Sequence, residues 1–145
     1  VGALTWQVVG PVTAGAAGGH EEGEEGSVAN NSSLVLLVDV RGIRILMAGD
    51  MEPEAQQRLH ASLPGLRADV LKVPHHGSRY QDPDLLSSLG ARVALVSVGR
   101  DNDYGHPAAA TVSLLRRSGM RVERTDREGD VAVTVQQDTL GVRTR

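Results

Sequence analysis

Residues able to do acid–base or metal chemistry gather at three places in this sequence. Asp50 closes the run Leu46-Met47-Ala48-Gly49-Asp50. A carboxylate there could bridge two metal ions about 3.5–4 Å apart, or cap a following helix. His75 and His76 stand side by side between Pro74 and the small residues Gly77-Ser78. Neutral imidazole ligates zinc and also exchanges protons near neutral pH. Neighbouring side chains of an extended loop point opposite ways, so one histidine is expected on a metal and the other on a neighbour or a substrate. His106 lies in Asn102-Asp103-Tyr104-Gly105-His106-Pro107. It reads either as a polar cap before a proline-opened helix or as a contact for the anions that helix starts attract.

Weaker signals surround these three. Asn30-Asn31-Ser32-Ser33 offers amide and hydroxyl groups, or ordinary turn chemistry. Lys72 could neutralise a phosphate or guard a strand edge. His60 falls inside an expected helix and reads as structural. His20, in a glutamate-rich stretch, reads as solvated.

Apolar spacing places the elements that must carry these groups. Leu4 to Val9 reads as a strand ended by Gly10-Pro11. From 12 to 31 the composition is Gly-, Ala- and Glu-rich, too poor in apolar surface to offset ordering entropy, and predicts a mobile acidic loop. Leu34–Val40 and Ile43–Ala48 flank Arg41-Gly42 as a hairpin would. A helix is expected from Glu54 to Leu63, a strand from Asp69 to Val73, a helix from Pro83 to Leu89 and a strand from Arg92 to Val98. A helix from Pro107 to about Ser118 follows, then strands at Arg121–Arg124, Val131–Val135 and Leu140–Arg143. Alternating strands and helices predict an α/β layered domain. The three reactive clusters each follow a strand, where chemistry in such sheets collects.

Composition narrows the function. Hydrophobic residues make up 40% and charged residues 23% of the 145 positions, an ordinary globular balance. Phe is absent and Trp6, Tyr80 and Tyr104 are the only aromatics, so the core must be aliphatic. A formal net charge of −3 argues against tight electrostatic binding of nucleic acid. With no cysteine there are no disulfides, thiolate zinc sites or cysteine nucleophiles. No apolar run approaches the roughly 20 residues that span a bilayer. The opening residues lack the basic flank of a signal peptide and read as the start of an excised segment.

Taken in order, Asn30-Asn31-Ser32, Met47-Ala48-Gly49-Asp50, Leu71-Lys72-Val73-Pro74-His75-His76-Gly77-Ser78, Val96-Ser97-Val98-Gly99, Tyr104-Gly105-His106-Pro107 and Arg124-Thr125-Asp126 form a recognisable series. It resembles the later half of the hydrolase domain of the ComEC/Rec2 DNA-uptake proteins, from Trp6 onward. The Pro-His-His-Gly-Ser block after a strand, preceded by Gly-Asp, is its specific part.

The resemblance implies a metallo-β-lactamase-like αββα sandwich, of which residues 1–145 would be the C-terminal portion. It implies two divalent metals, zinc or manganese, in the intact domain. Asp50 would be the bridging aspartate and His75 the late histidine ligand, with His76 its alternative. His76 and His106 would serve catalysis, while Asn31, Lys72 and Ser78 would face substrate. The substrate would be the DNA strand that is not transported, the remainder of the protein would span the cell membrane, and this domain would lie outside the cytoplasm.

One departure bears on all of this. The family's early His-x-(His/Asp)-x-Asp-His block has no counterpart here. Asp50 and one histidine fall short of the four or so donors that zinc takes. The chain alone is therefore expected to be poor in metal and inactive, with an apolar face that invites self-association or a complementary partner. A non-catalytic half-domain, structural or weakly DNA-binding, is the rival reading, and a small phosphodiester is the rival substrate.

Overall fold

The computed structural model describes residues 4–12, 25–137 and 139–145. Six strands form one sheet in sequence order: β1 (Leu4–Gly10), β2 (Val35–Val40), β3 (Ile43–Met47), β4 (Val70–Lys72), β5 (Val93–Val96) and β6 (Arg121–Arg124). β2 runs antiparallel to both β1 and β3, and β3 to β6 are mutually parallel. The β2–β3 hairpin turns at Arg41-Gly42, both at positive φ, and Gly42 N–H donates to Asp39 Oδ1 at 2.9 Å. That is the turn chemistry two-residue hairpins need.

Between the parallel strands the chain crosses through α2 (Pro53–Ser62), α3 (Pro83–Ser88) and α4 (Ala109–Arg117). Strand order never reverses from β3 to β6, and crossovers of this kind are right-handed. All three helices therefore lie on the same face of the sheet. There the register aligns Leu37, Leu46, Leu71, Ala94 and Val122, and buried Leu59, Leu85, Leu86 and Leu115 from the helices cover them. The core is aliphatic, as the shortage of aromatics requires.

The opposite face is only partly covered. A one-turn helix, α5 (Thr125–Glu128), leads into an antiparallel pair, β7 (Val131–Gln136) and β8 (Thr139–Thr144). Val133, Val135, Leu140 and Val142 from this pair pack against Ile43, Val70 and Val93. Nearer the β1 edge the same face stays open. Leu4, Trp6, Val8 and Met47 are 60%, 63%, 53% and 45% exposed.

Two expectations are corrected here. Residues 25–31 of the expected acidic loop form a helix, α1 (Glu25–Asn31), closed by Ser32 N–H donating to Val28 O and Ala29 O. It is fastened from outside: Asn30 Nδ2 donates to Glu52 Oε1 at 3.0 Å, and Asn31 Oδ1 accepts from Glu52 N–H at 3.1 Å. Local composition cannot reveal such distant anchors. Residues 13–24 of that loop, His20 included, lie outside the described residues. The second correction is α4, which begins at Ala109 rather than Pro107, with Ala108 as its cap residue.

Candidate active site at the carboxyl rim of the sheet

Parallel strands deliver their carboxyl ends to one rim, and the loops after β3, β4 and β5 meet there. Gly49 follows β3 at φ +57°, and a Cβ on it would lie 2.7 Å from Ser33 Cβ. This close passage lets Ser33 Oγ accept the Asp50 N–H at 3.0 Å, which fixes the backbone under the carboxylate. Asp50 is not the helix cap; Glu52 holds that position. Asp50 Oδ1 instead lies 3.5 Å from Lys72 Nζ and 3.5 Å from His76 Nε2. Lys72, the last residue of β4, also donates to Gly49 O at 3.1 Å. Burial pulls its pKa down, and the Asp50 carboxylate opposes that shift.

The two histidines sit in a tight turn, Pro74–Gly77, not in extended chain. Both are left-handed, His75 at φ 45° and His76 at φ 53°. Non-glycine residues pay a steric penalty there. The turn separates the rings. His76 turns to Asp50, and its Nδ1 lies 2.6 Å from Ser97 O. A carbonyl can only accept, so Nδ1 carries the proton and the neutral ring keeps its lone pair on Nε2, toward Asp50. His75 turns the other way, with Nδ1 3.7 Å from Glu52 Oε1 and its ring 5.5 Å from that of His106, edge to face.

His106 is brought in by the loop after β5. Asn102 braces that loop, its amide donating to His106 O at 2.9 Å and its Oδ1 accepting the His106 N–H at 3.0 Å. Gly77, at φ +80°, meets Pro107 so closely that a Cβ would lie 2.7 Å from Pro107 Cβ, and Ala108 N–H donates to Gly77 O at 2.8 Å. The His106 pKa is lowered, first by burial and then by His75, His76 and Arg79.

Asp50, Lys72, His75, His76 and His106 thus share one rim. Asn31 and Ser78 are engaged otherwise. Asn31 Oδ1 is taken by Glu52, while Ser78 is buried with its hydroxyl donating to Tyr80 O. His60 ties α2 to α3 through Ser88 Oγ at 3.3 Å. Sequence reasoning missed Glu52, and it met Ser97 and Asn102 only as members of the Val96–Gly99 and Asn102–Pro107 motifs, with no role given to either.

The arrangement offers a metal two converging donors, an Asp50 oxygen and His76 Nε2. Among the described residues no group of three or more His, Asp or Glu could hold a metal. Zinc takes about four ligands, so these residues alone do not fit a resident metal ion.

No family model matches the chain. Over 103 residues, 70% of the chain, it is 40% identical to ComE operon protein 3 of Bacillus subtilis. It is 36% identical over 114 residues, 78% of the chain, to Recombination protein 2 of Haemophilus influenzae. Competence protein ComA of Neisseria gonorrhoeae is 32% identical over 102 residues, 69% of the chain. The chain belongs to the ComEC/Rec2 family of competence proteins. The matched stretch is 13%, 14% and 15% of the length of these three relatives, so most of a ComEC/Rec2 protein has no counterpart in this chain. Among the described residues no helix is long and apolar enough to cross a membrane.

Proposed function

We propose that this chain is the C-terminal portion of a metallo-β-lactamase-like αββα domain. The intact domain is a metal-dependent phosphodiesterase that degrades the DNA strand left outside during uptake. The observation that carries this reading is the convergence of Asp50, Lys72, His75, His76 and His106 on one rim. The names of the relatives, competence and recombination proteins, supply the biological setting.

In this reading the half-open face beside β7–β8 receives the other sheet of the sandwich. The remaining donors for two divalent metals, zinc or manganese, come from outside residues 1–145. Asp50 and His76 are this chain's share, which moves the ligand role from His75 to His76. Lys72 supplies positive charge for a phosphate, and His75 and His106 face the substrate. The rest of the polypeptide spans the cell membrane and holds this domain outside the cytoplasm.

The test is cleavage of single-stranded DNA by the full-length protein with Mn²⁺ or Zn²⁺. Asp50→Ala should lower the rate by at least about a hundredfold, since even outer-shell partners of a metal site are worth about 10–100-fold. Unchanged cleavage in that variant overturns the assignment. It would favour the second reading, a non-catalytic structural or weak DNA-binding module, which the two-donor set supports for the chain taken by itself. Small phosphodiesters assayed in parallel separate a nuclease from an esterase.

A further inference from the structure

Glu52 stands at the cap position of α2, yet its side chain caps nothing. It turns toward the site. Its Oε1 accepts from Asn30 Nδ2 at 3.0 Å and lies 3.7 Å from His75 Nδ1. Its own N–H is held by Asn31 Oδ1, so α1 fixes Glu52 through two successive asparagines. Among the described residues His75 Nδ1 is sealed from solvent and has no hydrogen-bond partner, although the side chain as a whole is 27% exposed. The accessible part of the side chain therefore lies among its other atoms. Buried polar atoms are seldom left unpaired, and the Glu52 carboxylate sits a few tenths of an ångström beyond bonding range. Backbone strain at His75 adds to the pattern, because strain of this sort clusters at functional sites.

We infer that Glu52 is a positioning residue for His75. Its carboxylate accepts the Nδ1 proton, fixing that tautomer and leaving Nε2 as the free acceptor. The carbonyl of Ser97 does the same for His76. The adjacent imidazoles thus reach one arrangement by two separate supports. A carboxylate behind one ring nitrogen also raises the basicity of the other. The tautomer stands on geometry alone; its value for catalysis rests on the phosphodiesterase reading above.

The experiment is a long-range proton–nitrogen correlation spectrum of the histidine rings in the ¹⁵N-labelled chain, at about pH 8, where an unperturbed imidazole is neutral. In the wild type, His75 and His76 should each show a protonated Nδ1 and an unprotonated Nε2. Glu52→Ala should move His75 toward the Nε2–H form and leave His76 alone, since Ser97 is untouched. Asn30→Ala, which frees the carboxylate to swing away, should move His75 part of the way. A wild-type His75 already in the Nε2–H form overturns the inference, as does a His75 spectrum unchanged by Glu52→Ala. The wild-type spectrum and Asn30→Ala keep the test open should Glu52→Ala fail to fold.

In the full-length protein, Glu52→Ala should lower kcat about tenfold to a hundredfold with KM little changed. Absence of DNA cleavage together with the expected tautomers would sink the phosphodiesterase reading and leave the role of Glu52 standing. Cleavage without those tautomers would do the reverse.

Discussion

Arg124 grips Asp126 with two nearly parallel hydrogen bonds, Nε to Oδ1 at 3.0 Å and Nη2 to Oδ2 at 2.6 Å, and both side chains are largely shielded. Those bonds hold the Asp126 carboxyl below its ordinary value. A folded-state pKa lower than the unfolded one, near about 4, contributes stability that is complete above that value. It is lost as pH falls through the folded pKa. Asp126→Asn should therefore lower the urea midpoint at pH 7, and the gap from wild type should narrow as the pH falls below about 4. An equal gap across that range would show that the pair acts through shape and not charge. Residues of this kind differ in how legible they were. Asp50, the histidine pair and His106 were visible because their side-chain types are reactive wherever they stand. Glu52 was not, because its role is set by Asn30 and His75, each distant from it in sequence.

Elements were easier to read than the contacts that lock them. Apolar alternation located the strands β2 to β6 and the three crossover helices to within a residue or two. Arg41-Gly42 announced its turn. α1 was missed because EGSVANN has one large apolar residue and holds its place through Asn30 and Asn31. The left-handed His75-His76 turn was missed because consecutive non-glycine residues rarely adopt positive φ. Gly77 shows how strictly that turn is built: its φ of +80° and its contact with Pro107 both exclude a side chain. Gly77→Ala should cost about 2–4 kcal/mol, combining left-handed strain with forced overpacking. It should also part the His106 loop from the histidine turn. Thermal unfolding measures the first effect, and the ring-current shifts between His75 and His106 report the second. A variant as stable as wild type would mean that the two loops are less tightly joined than their contact suggests.

The whole molecule has one well-filled face and one half-filled face. β1 is an edge strand whose sequence, LTWQVVG, holds no charged residue and no proline. Those are the usual protections of an exposed edge. At about 25 cal/mol per Å² of apolar surface, covering Leu4, Trp6, Val8 and Met47 is a strong incentive to associate. The chain by itself should form oligomers that light scattering detects. Trp6→Ser combined with Val8→Lys should return it to a monomer, whereas a wild type already monomeric at high concentration would remove the argument. The one-way march of β3 to β6 has a different result. Every crossover helix carries the chain back from the reactive rim to the rim opposite, where Gly65 and Gly119 lie ahead of β4 and β6. Chain length can change on that side without lengthening any path to Asp50 or His76. Insertions at the far rim should therefore leave the spacing of Asp50, His76 and His106 as it is.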